Sequence, residues 1–196
     1  MSRYPHIVLA SASPRRASLL ELIGVTFDVC PADIDEEPAG ALGPAEGAES
    51  VARDKALAVA GTTAPDRIVL GADTVVVLDD AALGKPEGPA EARHMLRLLS
   101  GRSHVVATGV ALASSGGLRV ESWVVETTVT FRDVSDAEIG AYVDSGRPMD
   151  KAGAYGIQED AAAFVERVDG CYYSVVGLPL ARLSVVLAAW PEARDA

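Results

Sequence analysis

His6-Ile7-Val8-Leu9-Ala10 is a short apolar run, and Ser11-Ala12-Ser13-Pro14-Arg15-Arg16 follows it without a break. The first part predicts a buried strand. The second predicts a polar turn feeding a helix, with Ser13 as N-cap and Pro14 in the first turn. Leu19, Leu20, Leu22 and Ile23 give that helix a core face, and Gly24 ends it. A strand that stops at a turn and a helix N-terminus leaves backbone N–H groups unpaired at one point, where an anion can sit. Ser11, Ser13, Arg15 and Arg16 add hydroxyl and guanidinium donors that match phosphate oxygens. The same residues are also what a capped helix with two solvated arginines would show.

Working outward, residues 25–30 predict a second strand, which leads into the acids Asp33, Asp35, Glu36 and Glu37. Residues 38–47, rich in Pro, Gly and Ala, predict a mobile loop, and a helix is expected over 48–60. Val51 and Val59 flank Lys55 at four-residue spacing, which puts the lysine near that helix's buried side. Gly71-Ala72-Asp73-Thr74 separates two apolar runs at 68–70 and 75–78, and a carboxylate in such surroundings is costly unless paired or bound to metal. Pro89 opens a helix with Ala92, Met95, Leu96 and Leu99 on one face. Residues 105–113 and 118–131 alternate as antiparallel strands about the turn 114–117. Ser135-Asp136-Ala137-Glu138 is a capping box for a helix ending near Gly146. Residues 150–158 read as a loop, 164–168 and 172–176 as a hairpin about Asp169-Gly170, and 179–190 as a last helix. The mixture, without strict alternation or internal repeat, predicts an α/β fold with a mixed sheet.

At 196 residues, 49% hydrophobic and 23% charged, the chain has the make-up of a globular protein with a real core. No apolar run reaches the length of a membrane span, and the run at 7–10 is too short for a secretory signal. Cys30 and Cys171 have no metal-ligand spacing and read as free thiols, so a cytoplasmic location is expected. The net charge of −11 argues against a broad nucleic-acid-binding face. A small anion requires a local concentration of cations, so the three lysines, Lys55, Lys85 and Lys151, are informative: each adjoins a small-residue, Gly- or acid-containing segment. Glu36 and Asp73, if brought together, would suit Mg²⁺; Glu36 also reads as part of a solvated acidic loop. The sequence holds neither the nucleophile elbow of hydrolases nor the phosphate-binding P-loop, and its aromatics are too sparse for a base-stacking platform.

Four segments in order, 9–16, 71–76, 83–86 (Leu-Gly-Lys-Pro) and 150–158 (Asp-Lys-Ala-Gly-Ala-Tyr-Gly-Ile-Gln), resemble the Maf family of nucleoside triphosphate pyrophosphatases. The last is similar to the branch acting on dTTP and UTP. The resemblance implies an inosine-triphosphatase-like α/β fold, one unit over residues 1–196, with two lobes around a cleft and often a homodimer. It implies Ser11, Ser13, Arg15, Arg16, Lys55 and Lys85 at the phosphates, and Glu36 with Asp73 at Mg²⁺ or Mn²⁺. Asp73 is implied as proton acceptor, in competition with its role as metal ligand. Arg15, Thr74 and Gln158 are implied in substrate choice, and Lys151 lies in the same matched loop. Glu159 stands where that branch is expected to have Gly, and Asp160 follows, adding negative charge beside a nucleotide site. A broader pyrophosphatase for modified nucleotides and a non-catalytic regulator of cell division are the alternatives.

Overall fold

The computed structural model describes residues 3–36 and 42–190. β1 (Ile7–Leu9) pairs in parallel with β2 (Phe27–Val29) on one side and β3 (Ile68–Leu78) on the other. β3 turns back into the short β4 (Ala81–Leu83). The sheet continues antiparallel through β5 (Ser103–Ser114), β6 (Val120–Phe131) and β7 (Val165–Asp169), in the order β2-β1-β3-β5-β6-β7. β5 pairs with β3 from Ile68 to Val77 without interruption. On the opposite edge of β3, β1 covers only 68–70 and β4 only 76–78. Among the described residues, 71–75 therefore have no strand partner on that edge, and this gap in the sheet is where a cleft opens.

The helices are α1 (Pro14–Leu22), α2 (Pro44–Ala60), α3 (Pro89–Leu99), α4 (Asp136–Asp144), α5 (Tyr172–Val176) and α6 (Leu180–Ala189). None of the helices among the described residues is long and apolar enough to cross a membrane. α2 covers one face of the sheet, where Ala52, Ala56 and Val59 pack on Val8, Val69 and Ala111. The larger core fills the other face with Ile7, Leu9, Leu70, Val110 and Leu112, together with residues of α1, α3, α4 and α6.

α2 approaches the sheet at backbone distance, and two glycines permit it. A methyl group on Gly71 of β3 would lie 2.1 Å from the Ala52 carbonyl oxygen and 2.7 Å from the Ala56 nitrogen. On Gly109 of β5 it would lie 2.3 Å from the Ala48 carbonyl oxygen. Gly109 is also the register partner of Asp73.

Several expectations hold. α3 begins at Pro89 and buries Ala92, Met95, Leu96 and Leu99. Ser135 and Glu138 form both bonds of the capping box. Cys30 and Cys171 are free. Others need correction. The segments 68–70 and 75–78 are one strand, because β5 pairs with both and with the residues between. The hairpin to β4 was not anticipated: Asp79 and Asp80 turn it at positive φ, and the Asn-Gly or Asp-Gly signature of such turns is absent. α2 starts at Pro44, earlier than 48, with the proline in its first turn and Glu46 beside it. Of the expected loop, residues 38–41 lie outside the described residues, as does Glu37. Leu22 is 63% exposed, since the buried side of α1 is set by Arg16, Leu19 and Leu20.

Residues 172–176 are a helix and not the second arm of a hairpin. β-branched and aromatic residues suggested a strand, but tertiary anchoring overrides that preference. The Cys171 N–H donates to Thr127 Oγ1 at 2.9 Å, and the Ser174 hydroxyl turns back to the Cys171 carbonyl at 2.7 Å.

Gly71→Ala and Gly109→Ala should each destabilise the protein by on the order of 3 kcal/mol, because the obstructing atoms are backbone that cannot rotate away. Urea unfolding of the two variants measures this; losses below about 0.5 kcal/mol would mean that α2 can lift off the sheet at little cost.

Candidate active site

A cavity of about 570 Å³ lies over the unpaired stretch of β3. All ten residues singled out in the sequence line it: Ser11, Ser13, Arg15, Arg16, Glu36, Lys55, Asp73, Thr74, Lys85 and Gln158. Lys151 lines it as well, so all three lysines meet there. Against them the wall carries four carboxylates, of Glu36, Asp73, Asp150 and Glu159. In a chain of net charge −11, a wall with five cations and four carboxylates is locally the positive place.

Successive residues of β3 point to opposite faces, so Asp73 faces α2 and Thr74 faces α1. On the α2 side, the buried Lys55 ammonium lies 2.9 Å from Asp73 Oδ1 and 3.0 Å from Glu36 Oε1. Two carboxylates thus converge on one cation. Desolvation would raise the Glu36 pKa, but the hydrogen bond and charge of Lys55, with Lys85 and Arg16, outweigh it and hold the carboxyl below its ordinary range.

On the other side Arg16 is buried and anchored through three of its five N–H donors. It donates from Nε to the Gly177 carbonyl at 3.2 Å, from Nη1 to Ser11 Oγ at 3.0 Å and from Nη2 to Thr74 Oγ1 at 3.3 Å. Burial pulls its pKa below the ordinary value, with Asp73 opposing and Arg15 adding to the fall. Ser13 was expected to cap α1, yet its side chain makes no capping bond. The shorter turn wins: Ser11 Oγ accepts the Ser13 N–H at 3.2 Å.

Arg15 is paired with Asp150, Nη1 to Oδ2 at 2.9 Å. Asp150 Oδ1 in turn accepts from the buried Lys151 at 2.7 Å, and Lys151 reaches Glu159 Oε1 at 3.3 Å. Desolvation raises the Asp150 pKa, but Lys151 and Arg15 more than offset it and lower the value. The negative charge expected from Glu159 and Asp160 is therefore paired, Glu159 with Lys151 and Asp160 with Arg147. Among the predicted cations, Lys85 stands exposed and makes no ion pair within the described residues. Sequence reasoning missed Asp150 as Arg15's partner and Thr108 behind Thr74. Nothing local marks either, since both contacts span distant parts of the chain.

The loop that carries Gln158 is held from below. The Tyr155 hydroxyl and His104 Nε2 lie 2.8 Å apart, and both rings stack edge-on against Phe131. Burial pushes the His104 pKa down to about 4.

Fold and site together define an α/β protein whose cleft gathers five cations and four carboxylates. Residues 6–190 match the family described as Maf-like protein. The chain belongs to that family. It is 50% identical over 181 residues to a dTTP/UTP pyrophosphatase of Pelotomaculum thermopropionicum, covering 92% of this chain and 94% of the relative. It is 53% identical over 174 residues to a dTTP/UTP pyrophosphatase of Geobacter sulfurreducens, covering 89% and 91%. Among solved structures, a HAM1 protein from Coxiella burnetii shares the fold at 21% identity, with a TM-score of 0.51 over 94% of this chain and 99% of that one.

Two outcomes follow from the geometry. His104 is neutral in the fold and protonates near 6.5 when unfolded, so the unfolded state binds the extra proton between those values. Stability should fall as pH drops from about 6.5 to 4, by about 3 kcal/mol from this group alone. Urea unfolding of the unaltered protein and of His104→Gln across that range checks it: the variant should show the shallower slope. Asp150→Asn releases Arg15, so inorganic pyrophosphate should bind more tightly, by up to about fivefold at low salt. Calorimetric titration reads this, and weaker binding would mean that the pair orients Arg15 for its ligand.

Proposed function

We propose that this chain is a nucleoside triphosphate pyrophosphatase that hydrolyses dTTP and UTP to monophosphate and pyrophosphate. One observation carries the reading: Asp73 and Glu36 converge on Lys55 at the open edge of β3, inside the cavity where all three lysines gather. The names of the relatives at 50% and 53% identity support the substrate pair.

The donor set fits a divalent cation of the Mg²⁺ or Mn²⁺ kind. Such an ion needs one or two carboxylates and fills its remaining positions with water and phosphate oxygens. Asp73 and Glu36 already converge on a point of positive charge. Among the described residues no group of three or more His, Cys, Asp or Glu is arranged to hold a metal, so the protein would supply these two. When bound, the cation neutralises phosphate charge and polarises the attacked group.

In this reading Arg15 and Lys85 take the phosphates, with Arg15 exchanging Asp150 for phosphate oxygens. Ser11 and the N-terminus of α1 add hydrogen-bond donors, and Arg16 orients Ser11. Lys55 engages one oxygen of Asp73, and the other takes the proton from a water. The water oxygen attacks the α-phosphorus, the bond to the α–β bridging oxygen breaks, and pyrophosphate leaves against the charges of Arg15 and Lys85. Gln158, exposed on the cavity rim, reads the base edge with an amide that both donates and accepts.

Asp73→Asn should lower kcat for UTP by at least about a hundredfold. The fold should survive, because Asn keeps the volume and Lys55 keeps Glu36. Pyrophosphate release from canonical and modified triphosphates, with Mg²⁺ and with Mn²⁺, is the assay. Near-normal turnover in the variant would remove Asp73 from the chemistry. No pyrophosphate from any triphosphate with the unaltered protein would favour the regulator of cell division instead.

A further inference from the structure

The polarity of the hydroxyls around Arg16 follows from counting hydrogens. Thr108 of β5 is fully buried and lies directly across from Thr74 in the register. Its Oγ1 is 2.7 Å from the Ser174 carbonyl oxygen and 2.9 Å from Thr74 Oγ1. A carbonyl oxygen only accepts, so the single hydroxyl hydrogen of Thr108 goes to Ser174. Thr74 must then be the donor in the Thr74–Thr108 pair. One lone pair of Thr74 is taken by Arg16 Nη2 at 3.3 Å. What remains for a ligand is one lone pair and no hydrogen.

Ser11 is set the opposite way. Its Oγ accepts the Ser13 N–H at 3.2 Å and Arg16 Nη1 at 3.0 Å, which fills both lone pairs. What remains for a ligand is its hydrogen. A phosphate oxygen, which only accepts, therefore suits Ser11 and not Thr74.

We propose that Thr108 is a positioning residue: by taking the Thr74 hydrogen it makes Thr74, a position the family resemblance already implies in substrate choice, an acceptor-only hydroxyl that suits the imide N3–H of a uracil or thymine base. The proposal rests on the pyrophosphatase reading above and supplies the atom that distinguishes its bases. Uracil and thymine share the N3–H. Cytosine carries a lone pair at N3, and that lone pair would face the lone pair of Thr74. A site built to accept a hydrogen rejects a ligand that lacks it far more strongly than a hydrophobic pocket rejects a change of size. The two hydroxyls also orient the nucleotide, phosphates toward Ser11 and Arg15, base toward Thr74 and Gln158.

The test compares Thr108→Val, which keeps the shape and removes the hydroxyl, with Thr108→Ser, which keeps the hydroxyl. Binding of UMP and CMP is measured by calorimetry, and kcat/KM is measured on UTP and CTP. Thr108→Ser should retain the preference for uracil. Thr108→Val frees the Thr74 hydrogen, so the preference should fall by about tenfold or more, chiefly through tighter CMP binding and a lower KM for CTP. An unchanged preference in Thr108→Val overturns the proposal, as does Thr108→Ser behaving like Thr108→Val. Should Thr108→Val not fold, the unaltered protein decides: 3-methyl-UMP should bind at least about tenfold more weakly than UMP, and equal binding overturns the proposal. If the unaltered protein releases no pyrophosphate from any triphosphate, the pyrophosphatase reading fails, while UMP against CMP binding still judges Thr74.

Discussion

The approach of α2 to the sheet at backbone distance is the constraint on which the site depends. A side chain larger than hydrogen at Gly71 or Gly109 would meet the backbone of Ala48, Ala52 or Ala56. The helix answers with alanine at the same places, so the contact is close along three turns. Lys55 stands beside Ala56, and Asp73 stands two residues beyond Gly71 on the same face of β3. Only because the helix sits so low does the Lys55 ammonium reach both Asp73 and Glu36. A buried lysine between two carboxylates is poor value as a stabilising device, since desolvation consumes most of the attraction. Its presence at the point of closest packing is better understood as positioning charge for a ligand.

The second element is the gap in the sheet. A central strand normally hides its backbone between two neighbours. β3 does so on the β5 edge, but on the other edge β1 ends at Leu9 and β4 begins its pairing only at Val76. The parallel edge of the sheet meets the antiparallel hairpin there, and neither covers residues 71–75. Ligands of open α/β sheets collect at such places because strand ends and helix N-termini converge without closing. Here the convergence brings Ser11 to Arg16, Lys55, Lys85 and the 150–158 loop to one cavity in an otherwise acidic protein.

Much of this was readable in the sequence where one segment carried its own signal. Pro89 with four apolar residues at helical spacing, the Ser135 capping box and the strand-turn-helix at 7–22 are local facts, and the structure keeps them. Asp73 was legible because a carboxylate in an apolar strand demands a partner; that the partner is Lys55 was not. What escaped depends on contacts between distant residues. The residues at 172–176 have strand preferences and become a helix because Thr127 holds the preceding turn. Glu159 reads as an uncompensated charge in the sequence, and the fold pairs it with Lys151. Ser13 is the N-cap of α1 but makes no side-chain capping bond, and its own N–H is taken by the Ser11 hydroxyl, a contact that spacing alone does not decide.

Arg16 shows why residue type underdetermines role at a site of this kind. In the sequence it is indistinguishable from Arg15, and both match phosphate. In the fold Arg15 holds an exposed carboxylate that a phosphate can replace, while Arg16 is anchored to one carbonyl and two hydroxyls. Those bonds use three of its five N–H donors, so the guanidinium is held in place while two N–H groups remain for a ligand in the cavity it lines. It also acts through the oxygens it holds. With the Ser13 N–H it fills the lone pairs of Ser11 and leaves that hydroxyl a donor. One guanidinium thus touches two hydroxyls of opposite character, Ser11 left with a hydrogen because Arg16 and the Ser13 N–H fill its lone pairs, and Thr74 left with a lone pair because Thr108 takes its hydrogen.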